Sequence, residues 1–215
     1  MSAFPGSPRL IKGALVGVGL MGVLESTVVF QYNPDTLTRR LEPRNAKPDG
    51  EKGDVTRLSG PPKETITVSI EIDATDQLEE ANVLALATGI GPTLAALELM
   101  LYPKSSLVVA NAVMSALGTI EVLPAEGPLI LFVWGPTRVV PVQVTGLTIT
   151  EDAHDQLLNP IRAKAELTLM VLSYNDLQVT SLGRALFLVH QVTAEALALS
   201  NAFNSVQSVG AALKF

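Results

Sequence analysis

Glu151, Asp152, His154 and Asp155 form the one concentration of side chains in this chain that could ligate a cation or move a proton. Carboxylates and imidazole suit a hard or borderline metal. Their spacing follows no metal-binding pattern, and the second histidine lies far away in sequence, so a solvated turn between two strands is the favoured reading. That second histidine, His190, sits beside the apolar stripe of a C-terminal helical pattern and reads as a helix-surface or contact residue rather than a catalyst.

Phosphate chemistry fares no better. Gly17-Val18-Gly19-Leu20-Met21-Gly22 has the spacing of a dinucleotide loop, but no capped helix follows and no well-placed acidic residue stands about 20 positions on. GxxxxGK[ST] and GxSxG are both absent, and with no cysteine there is no thiol nucleophile, disulfide or cysteine metal site. Trp134 and Arg138, in FVWGPTRVVPV, leave two readings open. The indole either fills the core at a strand end, or both residues anchor a subunit contact, where Trp and Arg are over-represented. The expectation is a protein that is not an enzyme, with no catalytic, cofactor-binding or metal site and no cofactor.

Composition points toward an assembly. The chain has 215 residues, 47% of them hydrophobic and only 17% charged, against about 25% charged in an ordinary soluble domain. Mean hydropathy is +0.35. A surface so poor in charge is expected to meet other protein. Net charge of -6 argues against sequence-independent nucleic-acid binding, which needs Lys and Arg for phosphates. No membrane span is expected, because the longest uncharged stretch, 196–213, carries Asn201, Asn204, Gln207 and serines and reads as amphipathic. Met1 to Pro8 lacks the basic start of a signal peptide. Assembly in the cytoplasm is expected, with release as part of an extracellular particle left open.

The elements that would position these residues follow from periodicity. Residues 42–63 hold nine charges, four prolines and three glycines without helical or alternating period, and read as a long loop. Ser26–Tyr32 and Thr36–Leu41 read as extended segments joined by a turn at Asn33-Pro34-Asp35. Thr65–Asp73 alternates strictly, with Ile66, Val68, Ile70 and Ile72 on one face. Helices are expected over 77–87, from Pro92 to Leu101, and over 105–117. Leu129–Trp134 is a continuous apolar run that fits a strand buried on both faces. Val139–Thr150 alternates with a slip at Gly146 that a bulge would repair, and Ile161–Leu172 alternates again. Leu188, Val192, Ala196, Leu199, Phe203, Val206 and Leu213 keep helical spacing.

Five segments together resemble a known family. VVFQYNPDTLTRRLEP (28–43), ETITVSIEIDATDQLEE (64–80), LAALELMLYP (94–103), LILFVWGPTRVVPVQVTGLTITE (129–151) and LNPIRAKAELTLMVLS (158–173) look like the tube-protein domain of contractile injection systems. More narrowly they resemble the tube-initiator or baseplate-hub adaptor of phage-tail-like particles. The resemblance implies a mainly β fold with helices, a tail-tube-like antiparallel barrel or sandwich over 1–177 and a helical extension over 178–215. It also implies a structural role, as a hexameric ring joining the hub-spike protein to the inner tube protein and templating tube assembly, with other baseplate subunits as further candidate partners. The loop takes the place of the inter-ring arm, which makes Lys47, Asp49, Glu51, Lys52, Asp54 and Arg57 contact candidates beside Trp134, Arg138, Phe203 and Val206. Relatives often carry a LysM module after this domain; no such pattern follows here, so peptidoglycan binding is not expected. The alternatives are the main tube subunit of the same particle and, in another class, a small-ligand-binding β-barrel.

Overall fold

A computed structural model describes residues 11–19, 23–45, 57–75, 87–116 and 127–212, with side chains as far as residue 202. The expected helix over 77–87 lies almost wholly outside these residues. The described residues form seven strands: β1 (Ala14–Val18), β2 (Leu24–Val29), β3 (Leu37–Glu42), β4 (Lys63–Asp73), β5 (Leu129–Val133), β6 (Val139–His154) and β7 (Pro160–Val171). Among the described residues, three helices are placed in full: α1 (Gly91–Glu98), α2 (Ser105–Ala116) and α3 (Leu182–Ala212). The protein is mainly β with helices, as the sequence leads one to expect. Its strands form one continuous antiparallel sheet, in the order β2-β1-β5-β6-β7-β4-β3, in place of the two separate sheets of a sandwich.

That sheet is curled. β2 and β4 lie five places apart, which on a flat sheet would separate them by about 24 Å. Yet the Asp73 N–H at the end of β4 donates to Gln31 Oε1, just beyond β2, at 2.9 Å. The concave face collects Leu15, Val28, Ile66, Val68, Ile70, Phe132, Val142, Ala165, Leu167 and Leu169 into one core. Ile66, Val68, Ile70 and Ile72 are all buried while their alternates face outward, so the period of two in β4 is what selects the inner face. α1 adds Leu94 and Leu97 to the same core.

Gly89 makes the docking of α1 possible. Its φ is +57°, and the Ile90 N–H donates to the Pro160 carbonyl at 2.8 Å. A Cβ at Gly89 would lie 2.0 Å from that same carbonyl oxygen. The chain needs a residue without a side chain here to bring α1 onto the start of β7.

The anticipated irregularity in β6 is real. Val144 pairs with Leu169 and Gly146 with Thr168, so the register shifts across Thr145. β5 is apolar throughout because both of its faces are covered. Ile130 and Phe132 join the core, whereas Leu131 and its cross-strand partner Pro141 are buried on the opposite face. At the start of β5, Gly183 of α3 sits against Leu129.

Candidate interaction surfaces

Of the acidic cluster, Glu151, Asp152 and His154 are the last residues of β6, and only Asp155 lies in the β6–β7 turn where the sequence placed all four. His154 Nε2 and Glu151 Oε2 lie 2.9 Å apart. Asp155 accepts from the backbone N–H groups of Leu157 and Asn159 and from the Asn159 amide. The Asn159 side chain and backbone, more than any other contact, hold its carboxyl below the ordinary carboxylate value. These bonds shape a turn that passes through Leu158 at φ 65°. Among the described residues no three His, Asp or Glu side chains are grouped to hold a metal. The glycine run of residues 17–22 leads from β1 to β2, strand to strand, which is not the strand-to-helix geometry of a phosphate loop.

Trp134 and Arg138 separate into two environments. The indole stacks on Phe132 at 5.8 Å and 18°, with Phe30 at 6.4 Å, and closes over Gly13. Its packing is that of a core residue at a strand end. The Trp134 N–H donates to the Arg138 carbonyl at 2.8 Å, which sets the β5–β6 turn, but the Arg138 side chain goes to a surface pocket beside α3.

Lys47, Asp49, Glu51, Lys52 and Asp54 lie outside the described residues, while Arg57 is exposed at the edge of the loop. The loop's base is firmly tied. Asn45 and Leu58 form an antiparallel bridge, the Ser59 N–H donates to the Arg44 carbonyl at 2.7 Å, and Arg44 reaches Asp176 at 3.4 Å. Partial burial pushes the Asp176 carboxyl up, but Ser173 and Arg44 together outweigh it and hold it below the ordinary value.

Two helices expose apolar faces. α2 is uncharged over SSLVVANAVMSA and has no buried residue; Val109 is 62% and Val113 53% exposed. α3 spans 31 residues, about 46 Å at helical rise. It is fastened near its N-terminal end, where Phe187 is buried against Tyr174 at 5.9 Å and Arg184 donates to the Tyr174 carbonyl at 2.8 Å. The stripe singled out in the sequence points elsewhere. Leu188, Val192 and Leu199 are exposed, and Gly183, Phe187 and His190 form the inward face. Spacing of small and aromatic residues at i, i+4 and i+7 was the available signal for that face. Phe203 and Val206 continue the helix beyond the described side chains. The portion Leu182–Ala202 is long and apolar enough to cross a membrane by length and composition.

Among the described residues two strand edges are also open: β2 pairs only with β1 and β3 only with β4, so the described sheet ends in an unpaired strand at each side. The connection Phe30–Thr36, which carries the chain from one edge to the other, is pinned by Asn33. Its side-chain carbonyl accepts from the Gly13 N–H and its amide donates to the Ile11 carbonyl, both at 2.9 Å. Beside the β2 edge, Lys104 pairs with Glu25 at 2.6 Å. An apolar groove of about 730 Å³ lies there between β2, Tyr102 and the first turns of α2. No protein-family model matches this chain, and no curated protein matches it.

Proposed function

We propose that the protein is a non-enzymatic structural subunit that forms a six-membered ring in a contractile injection particle, joining the hub-spike to the inner tube and templating tube growth. The observation that carries the reading is the pair of edges left open among the described residues, β2 and β3, at the two ends of the strand order. Unpaired edges invite pairing with another chain, and a cyclic ring closes each edge against an identical neighbour. The exposed apolar faces of α2 and α3 supply further surface of the kind assemblies cover. A tethered loop rooted at Asn45–Leu58 suits an arm reaching toward the next layer.

The rival within the same particle is the main tube subunit. Purified chain that stops at a single ring supports the initiator, and chain that stacks into long tubes supports the tube subunit. Recovery of a strictly monomeric protein that takes up an apolar ligand would instead support the small-ligand barrel. The direct test is electron microscopy of the purified chain, in which class averages without six-fold symmetry contradict the reading.

A further inference from the structure

We infer that Arg138, Arg39 and the inward face of α3 build an oxyanion-binding pocket that takes a carboxylate or phosphate group. The pocket has a volume of about 410 Å³ and is lined by Arg39, Thr137, Arg138, His190, Thr193 and Leu197, with Ala194 and Ala198 beside them. It is assembled from distant parts of the chain. β3 supplies Arg39, the β5–β6 turn supplies Thr137 and Arg138, and α3 supplies the rest.

Charge balance is the first argument. Arg39 Nε and Glu64 Oε1 are 2.6 Å apart, so the only described carboxylate felt by Arg138 is already committed to another guanidinium. Arg138 is half-buried and has no ion pair of its own among the described residues. Two arginines sharing one carboxylate leave a net positive charge facing the cavity. Burial, and after it the neighbouring Arg39, pull the Arg138 guanidinium below its ordinary value, although Glu64 offsets part of this. Each of those costs is relieved by an incoming anion.

Geometry is the second argument. A guanidinium presents parallel N–H donors that match a carboxylate or phosphate edge. His190 lines the same pocket from α3. The Thr137 hydroxyl is a further polar group of the lining, the Thr193 hydroxyl is committed to the Val189 carbonyl at 2.8 Å, and the exposed side chains of Ala194, Leu197 and Ala198 border the pocket on the α3 side. All of these lining residues belong to one chain.

The test is calorimetric titration of the full chain with inorganic phosphate and with acetate, holding ionic strength constant with sodium chloride. Saturable binding of both is expected, in the millimolar range. Arg138→Gln is expected to weaken it at least about tenfold, and Arg138→Lys to weaken it less. Arg162→Gln, which removes a guanidinium paired with Asp73 elsewhere, is expected to bind as the parent does. Ala194→Glu places a carboxylate on the pocket wall and is expected to abolish binding of added anion while raising Tm. The source of the natural oxyanion is read by sedimentation. Saturating phosphate lowers the mass if an acidic side chain of an adjoining copy fills the site, and leaves it unchanged if a free solute does. Equal binding by the parent and Arg138→Gln, a response that follows ionic strength alone, or undiminished phosphate binding by Ala194→Glu would overturn the inference.

Discussion

Replacing Val192 and Leu199 together by glutamate separates folding from assembly. These side chains are 62% and 64% exposed on α3, so the isolated subunit loses little packing. Glutamate is a better helix former than valine and about equal to leucine, and the fold is expected to change in stability by no more than about 0.5 kcal/mol. Assembly responds differently. Fully burying a Val or Leu side chain contributes about 1.5–3 kcal/mol. Covering the roughly three-fifths now exposed at each position contributes about 1–2 kcal/mol, or about 2–4 kcal/mol for the pair. Two carboxylates driven into the same contact add a desolvation cost of several kcal/mol. Association through this face is therefore expected to weaken by more than about a hundredfold. Thermal unfolding reports the first quantity, and sedimentation or mass photometry across a dilution series reports the second. A double variant that unfolds at the parental temperature and assembles at parental concentrations would refute the claim that α3 is a contact surface.

Three other expectations rest on single features of the fold. Gly89→Ala must place a side chain at φ +57°, which costs about 1–2 kcal/mol. Moving its Cβ away from the Pro160 carbonyl sacrifices the Ile90 hydrogen bond as well, and a total loss of about 2–4 kcal/mol is expected in denaturant titration. Phe187→Ala empties the site against Tyr174 that fastens α3; a loss of about 3–5 kcal/mol in that docking is expected, read as faster limited proteolysis within 182–212 while the sheet stays protected. In acid, Asp73 and Asp176 are both held below the ordinary carboxylate value. At each, partial burial acts upward but is outweighed, by Thr75 and Arg162 at Asp73 and by Ser173 and Arg44 at Asp176. The unfolded chain then binds more protons in that window. Their contribution is complete above about pH 4 and is lost as pH falls through the folded values. Urea titrations from pH 6 to pH 2.5 should show this loss, reduced in Asp73→Asn and Asp176→Asn; unchanged acid sensitivity in the double variant would contradict it.

Much of the sheet was legible because burial on one face imposes a period of two. β4 and β7 alternate along nearly their whole length, and the phase slip at Gly146 marks the irregular pairing in β6. β1 was hidden. Its ALVGV segment continues into a glycine run that resembles a loop, and only its central position between β2 and β5 explains why it is apolar. Strand order was equally hidden, because Asn33-Pro34-Asp35 specifies a turn without specifying that β2 and β3 diverge to opposite edges. The inward face of α3 was not legible in the sequence, for a physical reason. The longest apolar stripe is the natural candidate for burial in a monomer, yet a subunit that presents apolar surface to partners can bury the shorter face instead. Arg39 and Arg138 meet only because the sheet curls, and nothing in their separation along the chain signals a shared pocket.

The measurement that bears most directly on the proposed role is the mass and symmetry of the purified full chain, by mass photometry with electron microscopy. A ring of six subunits of 22.7 kDa has a mass of about 136 kDa and six-fold class averages. A single species at the subunit mass, unchanged by concentration and by addition of tube or hub components, would contradict it.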